Sequence, residues 1–188
     1  DIKSIFQIIL EYYNFTFFKD EFIDETLFYY LCKYDYITLV ENFLSTAKDI
    51  DMNEKNKNIS LLYYSVEKVH IEIIKLLIKN DKLDVNVYNK ILSNDEDYFY
   101  NDDENDIELK TALYLAVEDE NIDIIKLLLT NDSLNVNLYY KKYHNTTSSI
   151  QKTALYLAVE KKNIEIVKLL LKNEKIDINL LNMMNNYM

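Results

Sequence analysis

The sequence predicts an all-α solenoid, helix pairs stacked one on the next with extended finger-loop insertions between them. Two observations carry that prediction: an internal repeat, and the apolar stripes within each copy. Three close copies run from Ser60 to Asn86, Thr111 to Asn137 and Thr153 to Asn179. Thr111-Ala-Leu-Tyr-Leu-Ala-Val-Glu118 is identical to Thr153-Ala-Leu-Tyr-Leu-Ala-Val-Glu160, and each leads into Asn-Ile-(Asp/Glu)-Ile-(Ile/Val)-Lys-Leu-Leu-Leu, at 121–129 and 163–171. A more distant copy starts at Thr26. Copy starts lie 34, 51 and 42 residues apart, and the recurring Asn53, Asn86, Asn137 and Asn179 lie 33, 51 and 42 apart. The unit is therefore about 33 residues, lengthened by insertions.

Taken in chain order, residues 1–23 are expected to form an N-terminal cap or partial repeat. Its stripe is Ile2, Ile5, Phe6, Ile9 and Leu10 in a helix over Asp1–Tyr13. Residues 24–182 hold the copies, at about 26–59, 60–110, 111–152 and 153–182, and 183–188 form a tail. Within a copy, Leu113, Ala116 and Val117 share one face of an inner helix. Ile122, Ile125, Leu128 and Leu129 share one face of an outer helix, and the two stripes face each other. Thr111, Thr153, Ser60 and Thr26 stand where a hydroxyl caps the inner helix, worth about 1 kcal/mol each. Small Ala116 and Ala158 permit close approach of neighbouring copies. One helix pair cannot bury its own apolar faces, so stability must come from stacking.

Composition narrows the function classes. The chain has 188 residues with no Gly, Pro or Trp, and all 21 basic residues are lysine. Turns must therefore use residues other than glycine, Asn and Asp tolerating left-handed backbone best. A net charge of -11 argues against nucleic acid or an anionic membrane and favours a partner with a basic surface. Without glycine, the usual phosphate-cradling loops are excluded. Two histidines and one cysteine leave little for nucleophilic or metal chemistry, so no catalytic, cofactor or metal site is expected. Cys32 reads as a core thiol, His70 as a capping or surface residue, and His144 as a loop residue. Asp95-Glu-Asp97 lacks the central glycine and alternating ligands of a calcium loop. No signal segment and no apolar run near twenty residues is visible, which points to a cytoplasmic chain. It begins at Asp1 and ends without a polar face at Leu169–Leu171, so it reads as a fragment with further repeats.

These copies resemble the ankyrin repeat, whose inner helix opens threonine-proline-leucine-histidine and whose outer helix carries an isoleucine-valine-x-leucine core before a turn ending aspartate-valine-asparagine. The resemblance covers roughly residues 24–182 and implies a non-catalytic protein-binding scaffold. Departures are consistent from copy to copy. Tyr29, Tyr63, Tyr114 and Tyr156 replace the family histidine, and Leu27, Leu61, Ala112 and Ala154 replace the proline. Asp35, Val69, Glu120 and Lys162 replace the left-handed glycine between the helices. Positive φ costs a non-glycine residue about 1–2 kcal/mol, so a rearranged turn is expected at Val69.

The resemblance also places the insertions in finger loops beside a concave face, where partners bind. The longer insertion holds eight acids between Lys90 and Lys110: Asp95, Glu96, Asp97, Asp102, Asp103, Glu104, Asp106 and Glu108. It also holds Tyr98, Phe99 and Tyr100 as aromatic anchors. A solvated acidic loop would have the same composition. The second insertion, Tyr139 to Lys152, is aromatic and mildly basic, and either stands open or closes on the first. Expected partner-binding residues are Tyr30, Tyr64, Leu115, Glu118, Leu157 and Glu160 on the inner helices, with Tyr98, Phe99, Tyr100, Asp102, Asp103, Tyr139 and Tyr143 on the fingers. Leu115 and Leu157 are expected to be exposed in the groove. The alternative function is a structural spacer that self-associates through uncapped ends.

Overall fold

Four helix pairs form where the repeats lie: α1 (Glu25–Lys33) with α2 (Ile37–Thr46), α3 (Leu61–Glu67) with α4 (Ile71–Ile78), α5 (Ala112–Glu118) with α6 (Ile122–Leu128), and α7 (Ala154–Glu160) with α8 (Ile164–Leu171). The computed structural model describes residues 25–46, 53, 55–56, 59–92, 107–144 and 148–180. The expected helix over Asp1–Tyr13, the run from Tyr98 to Asp106 and the 183–188 tail lie outside them. The chain divides into two compact units, residues 1–84 and 85–188. In the first, α1 packs on α3 and α2 on α4; in the second, α5 packs on α7. The inner stripe is buried as the periodicity requires, Leu113, Ala116 and Val117 on α5; of the outer stripe Ile125 and Leu128 are buried, whereas Ile122 and Leu129 are half-buried and Ile124 takes the third core position on α6.

Local chemistry sets the helix ends. The N–H groups of Tyr63, Tyr114 and Tyr156 donate to Ser60 Oγ (3.3 Å), Thr111 Oγ1 (3.3 Å) and Thr153 Oγ1 (3.1 Å). These are the expected caps. Thr26 is not one, because α1 starts at Glu25 and takes Thr26 into the helix. Asn121 and Asn163 cap the outer helices, accepting from Ile124 N and Ile166 N at 3.1 Å. His70 occupies the same position and does not cap α4 with its side chain. Its Nδ1 lies 3.0 Å from the Cys32 carbonyl in the preceding repeat, so the proton sits on Nδ1 and the ring joins two repeats.

The turn at Val69 is not rearranged. Asp35, Val69, Glu120 and Lys162 all adopt positive φ, at 59, 60, 54 and 59°. Each closes the same helix-ending motif. Val69 N donates to Val66 O (3.1 Å) and His70 N to Ser65 O (2.9 Å), just as Glu120 N donates to Val117 O (3.1 Å) and Asn121 N to Ala116 O (2.9 Å). These paired bonds satisfy carbonyls that a different turn would leave bare, and that holds a β-branched residue in left-handed backbone. Val69 is also exposed, so its side chain has no packing to lose. Val69→Gly is expected to stabilise residues 1–84 by about 1 kcal/mol, relieving strain but losing some gain to unfolded-chain entropy. A rise in thermal midpoint larger than that of Asp35→Gly checks it.

Asparagines bracket the turns of successive repeats. Asn137 Nδ2 donates to Lys175 O (2.7 Å) while its Oδ1 accepts from Asp177 N (2.9 Å). Asn86 does the same with Ser133 O (2.9 Å) and Asn135 N (2.7 Å), and Asn53 with Lys82 O (3.0 Å) and Asp84 N (2.6 Å). The recurring asparagine of the sequence is thus a rivet between repeats. Asn137→Ala is expected to cost about 1 kcal/mol, two hydrogen bonds discounted for exposure, read as a lower urea midpoint with unchanged m-value.

The chain is not all-α. β1 (Lys55–Asn56) and β2 (Ile59–Ser60) form a short antiparallel ladder. The finger insertions form a second sheet from β3 (Asn89–Leu92), β4 (Ile107–Lys110), β5 (Tyr139–His144) and β6 (Ser148–Thr153), antiparallel in the order β3-β4-β5-β6. The expected loop from Tyr139 to Lys152 is therefore a hairpin, and His144 ends a strand. The two fingers also pair with each other, Ile107 opposite Tyr143, Glu108 opposite Lys142 and Leu109 opposite Lys141.

Candidate functional site: the inner helices and the finger sheet

Strand alternation turns Glu108 and Lys110 to one face of β4 and Ile107 and Leu109 to the other. The face bearing Lys110 meets the inner helices. Lys110 Nζ pairs with Glu118 on α5 at 2.8 Å and with Glu108 at 3.2 Å, and lies 5.7 Å from the Tyr140 ring centroid. Tyr140 stacks on Tyr114 of α5, centroids 4.7 Å apart and planes 12° off parallel. The arrangement recurs one repeat later, where Lys152 Nζ pairs with Glu160 at 2.7 Å and sits 5.6 Å from the Tyr156 ring centroid. Lysine eight residues before the glutamate is thus a clamp, with strand at one end and inner helix at the other.

Glu108 also binds Lys142 Nζ across the seam between the fingers, at 3.1 Å. Burial pushes its carboxyl pKa up, but pairing with Lys142 and Lys110 more than offsets this and holds it below its ordinary value. Burial likewise opposes the charge on Lys110, and Glu118 and Glu108 reverse the effect, so its pKa is raised. At Tyr114, burial comes first and neighbouring Glu118 second in pushing the phenol up. A carboxyl with a depressed pKa contributes stability that is present above its ordinary 4.5 and lost as pH falls through its lower folded value. Glu108→Gln removes that contribution. Its destabilisation is expected to be full at neutral pH and to shrink as pH falls below about 4.5, which parallel urea melts across pH would read.

The clamps alter the expected binding surface. Leu115 and Leu157 are each only 7% exposed, not open to a groove. The stems reach Tyr114 and Glu118 on α5 and Tyr156 and Glu160 on α7, the helices that carry the two leucines. Glu118 and Glu160 are already held by lysines. Tyr139 and Tyr143 both lie on β5, and the Tyr139 hydroxyl is buried without a hydrogen bond among the described residues.

In residues 1–84 the expected tyrosines do come together. Tyr64 and Tyr30 both contact Tyr29, with centroids at 5.3 and 5.7 Å, although Tyr64 is buried and Tyr30 is 43% exposed. Tyr34, which sequence reasoning missed, stacks on Tyr30 at 6.2 Å with Lys33 Nζ 5.7 Å from the Tyr30 centroid. Its signal was the i, i+4 spacing from Tyr30. Cys32 is fully buried, and burial first, then Asp35, pushes its thiol pKa well up, as suits a core residue.

A groove of about 450 Å³ lies elsewhere, on outer helices α6 and α8, lined by Lys126, Ile164, Glu165, Lys168, Leu169 and Lys172. It is shallow and carries none of the expected residues. No group of three or more His, Cys, Asp or Glu gathers as a metal site among the described residues. No helix there is long and apolar enough to cross a membrane.

A family model, ankyrin repeats in three copies, matches residues 88–182. A comparison with curated proteins returns no match. The matched stretch contains the finger sheet and both helix pairs of the second unit, while α1 to α4 lie before it with the same left-handed turns. From the repeat period, the helix pairs, the bracketed turns and this match over half its length, the chain belongs to the ankyrin-repeat family.

Proposed function

We propose that the chain is a non-catalytic protein-binding module that takes a lysine- or arginine-rich partner segment on its finger sheet. The acidic insertion selects the partner by charge. The observation that carries this reading is the pairing of β4 with β5, which joins both insertion stems in one sheet and clamps that sheet to the inner helices. Ordering the stems before a partner arrives lowers the entropy cost of binding. Of the eight acids in the long insertion, Glu108 is held by Lys110 and Lys142. The seven from Asp95 to Asp106 supply the field, with Tyr98, Phe99, Tyr100, Tyr139 and Tyr143 as contact residues. In residues 1–84 the exposed pair Tyr30 and Tyr34 offers a second aromatic contact. This membership supports the broad class, since ankyrin repeats generally mediate protein–protein interaction.

The test compares the intact chain with a variant in which those seven acids become Asn or Gln. Partners are captured from lysate, and the affinity of each is then measured by calorimetry over a range of salt. The reading requires a basic partner whose affinity and salt dependence both fall in the neutral variant. Equal affinities for both proteins would remove the acidic insertion from the interface.

A further inference from the structure

The outer helices repeat one pattern. α2, α4, α6 and α8 open on Ile37, Ile71, Ile122 and Ile164, each two residues after a left-handed turn residue. Four residues on stand Glu41, Lys75, Lys126 and Lys168, and four further on Ser45, Lys79, Thr130 and Lys172. Residues four apart share a helix face, so these positions form one stripe along each outer helix.

The two units use that stripe differently. In residues 1–84 the outer helices α2 and α4 pack on each other, whereas in residues 85–188 α6 and α8 approach less closely than the inner pair α5 and α7. The gap between α6 and α8 is the groove of about 450 Å³, with Lys126 lining it from α6 and Ile164, Glu165, Lys168, Leu169 and Lys172 from α8. Three lysines and one glutamate therefore meet there. The equivalent charged positions on α2 and α4 are Glu41, Glu72, Lys75 and Lys79, which balance, and Lys75 pairs with Glu72 at 2.6 Å. Lys126, Lys168 and Lys172 make no ion pair among the described residues, although Asp123 and Glu165 stand three residues before the first two. Between those lysines Ile164 is exposed and Leu169 half-buried.

This pattern selects the occupant. Charges more than a Debye length away, about 8 Å at physiological salt, are largely screened, so the groove's own lysines set its field despite the chain's net charge of -11. Glu165 disfavours a membrane or a nucleic acid, whose negative charge repeats without gaps. A peptide can set a carboxylate against each lysine and leave Glu165 unopposed. Ile164 to Lys172 spans about 12 Å of helix, room for about eight residues of a helical peptide and too long for a single small anion.

We propose that the groove between α6 and α8 binds an acidic peptide segment of a partner protein, its carboxylates against Lys126, Lys168 and Lys172 and its aliphatic side chains against Ile164 and Leu169. This contact is independent of the basic-partner reading, since it lies on the outer helices and uses neither the finger sheet nor the acidic insertion.

Fluorescence anisotropy of a labelled peptide of glutamate and leucine, titrated with the full chain, tests it. Binding should saturate at one peptide per chain and weaken as salt rises. Lys168→Glu with Lys172→Glu should weaken it about tenfold or more. The same double reversal on α4, Lys75→Glu with Lys79→Glu, adds equal charge at equivalent positions and should change it by about twofold or less. Replacing the leucines of the peptide with serine should also weaken binding, because the lysines alone do not account for the apolar floor. Thermal melts of both variants confirm that they fold. Absence of saturable binding up to near-millimolar chain, or equal losses from the α8 and α4 reversals, would overturn the proposal. So would vesicles containing phosphatidylserine that bind through Lys168 and Lys172 when the peptide does not, because the surface would then serve a membrane.

Discussion

Replacing Tyr140 with alanine is expected to destabilise residues 85–188 by about 3 kcal/mol, the low end for removing a buried aromatic ring. The ring is 8% exposed, stacks on Tyr114 and lies beside the Lys110 ammonium. Its loss opens a cavity against α5 and removes one of the contacts holding the finger stems to the inner helices. The change should appear as a lower urea midpoint and as faster proteolysis between Tyr139 and Thr153, ahead of cleavage in α5 or α7. Tyr140→Phe keeps the stack and should cost no more than about 1 kcal/mol. A near-neutral Tyr140→Ala would mean that the lysine clamps alone hold the stems, and the double substitution Lys110→Ala, Lys152→Ala would then become the destabilising one.

Ala116→Leu is the second large effect, expected at about 3 kcal/mol by overpacking. Ala116 is fully buried on α5, the inner helix that packs on α7, and the equivalent positions Ser65 and Ala158 are also 0% exposed. A leucine there must push two helices apart or leave its rotamer. Ala116→Ser is the control, because Ser65 shows how the position takes a hydroxyl, bonded to the Leu61 carbonyl at 2.9 Å. Calorimetric melts should separate the two variants clearly, and a leucine variant as stable as the serine one would show that the joint is looser than its burial implies.

Signals confined to one helical turn or one repeat period were legible in the sequence. Thr111, Thr153 and Ser60 as caps, the stripe of α5, Ile125 and Leu128 on α6, small Ala116 at the joint and buried Cys32 all depend on neighbours in the chain or on the repeat. The strands were not legible. Asn89–Leu92 and Ile107–Lys110 are four residues each, without the glycine or asparagine-glycine turns that mark hairpins, and the partner of Leu109 is Lys141, far along the chain. The burial of Leu115 and Leu157 was not legible either. They lie beyond the apolar stripe of one helix, and their burial depends on neighbours that no window of helical periodicity contains. Val69 misled for a different reason: its intrinsic penalty was correctly read, but the competing cost of leaving the helix-end carbonyls unbonded was not weighed against it. His70 looked like a local cap and instead reaches the carbonyl of Cys32, a contact set by stacking.

The paired stems also bear on how this chain can change over time. Leu92 faces Ile107 across the first hairpin, and the fourteen residues between them begin and end at strand positions already fixed by hydrogen bonds. Closing a chain between fixed ends costs entropy that grows only with the logarithm of its length, about 0.6 kcal/mol per doubling. Changes in the length of the chain between those two residues therefore cost little closure entropy. Changes at Lys110, Tyr140 or Lys152 instead break contacts of the stems. On the proposed basic-partner reading, the length of the acidic segment can change at little entropic cost to the repeats that carry it.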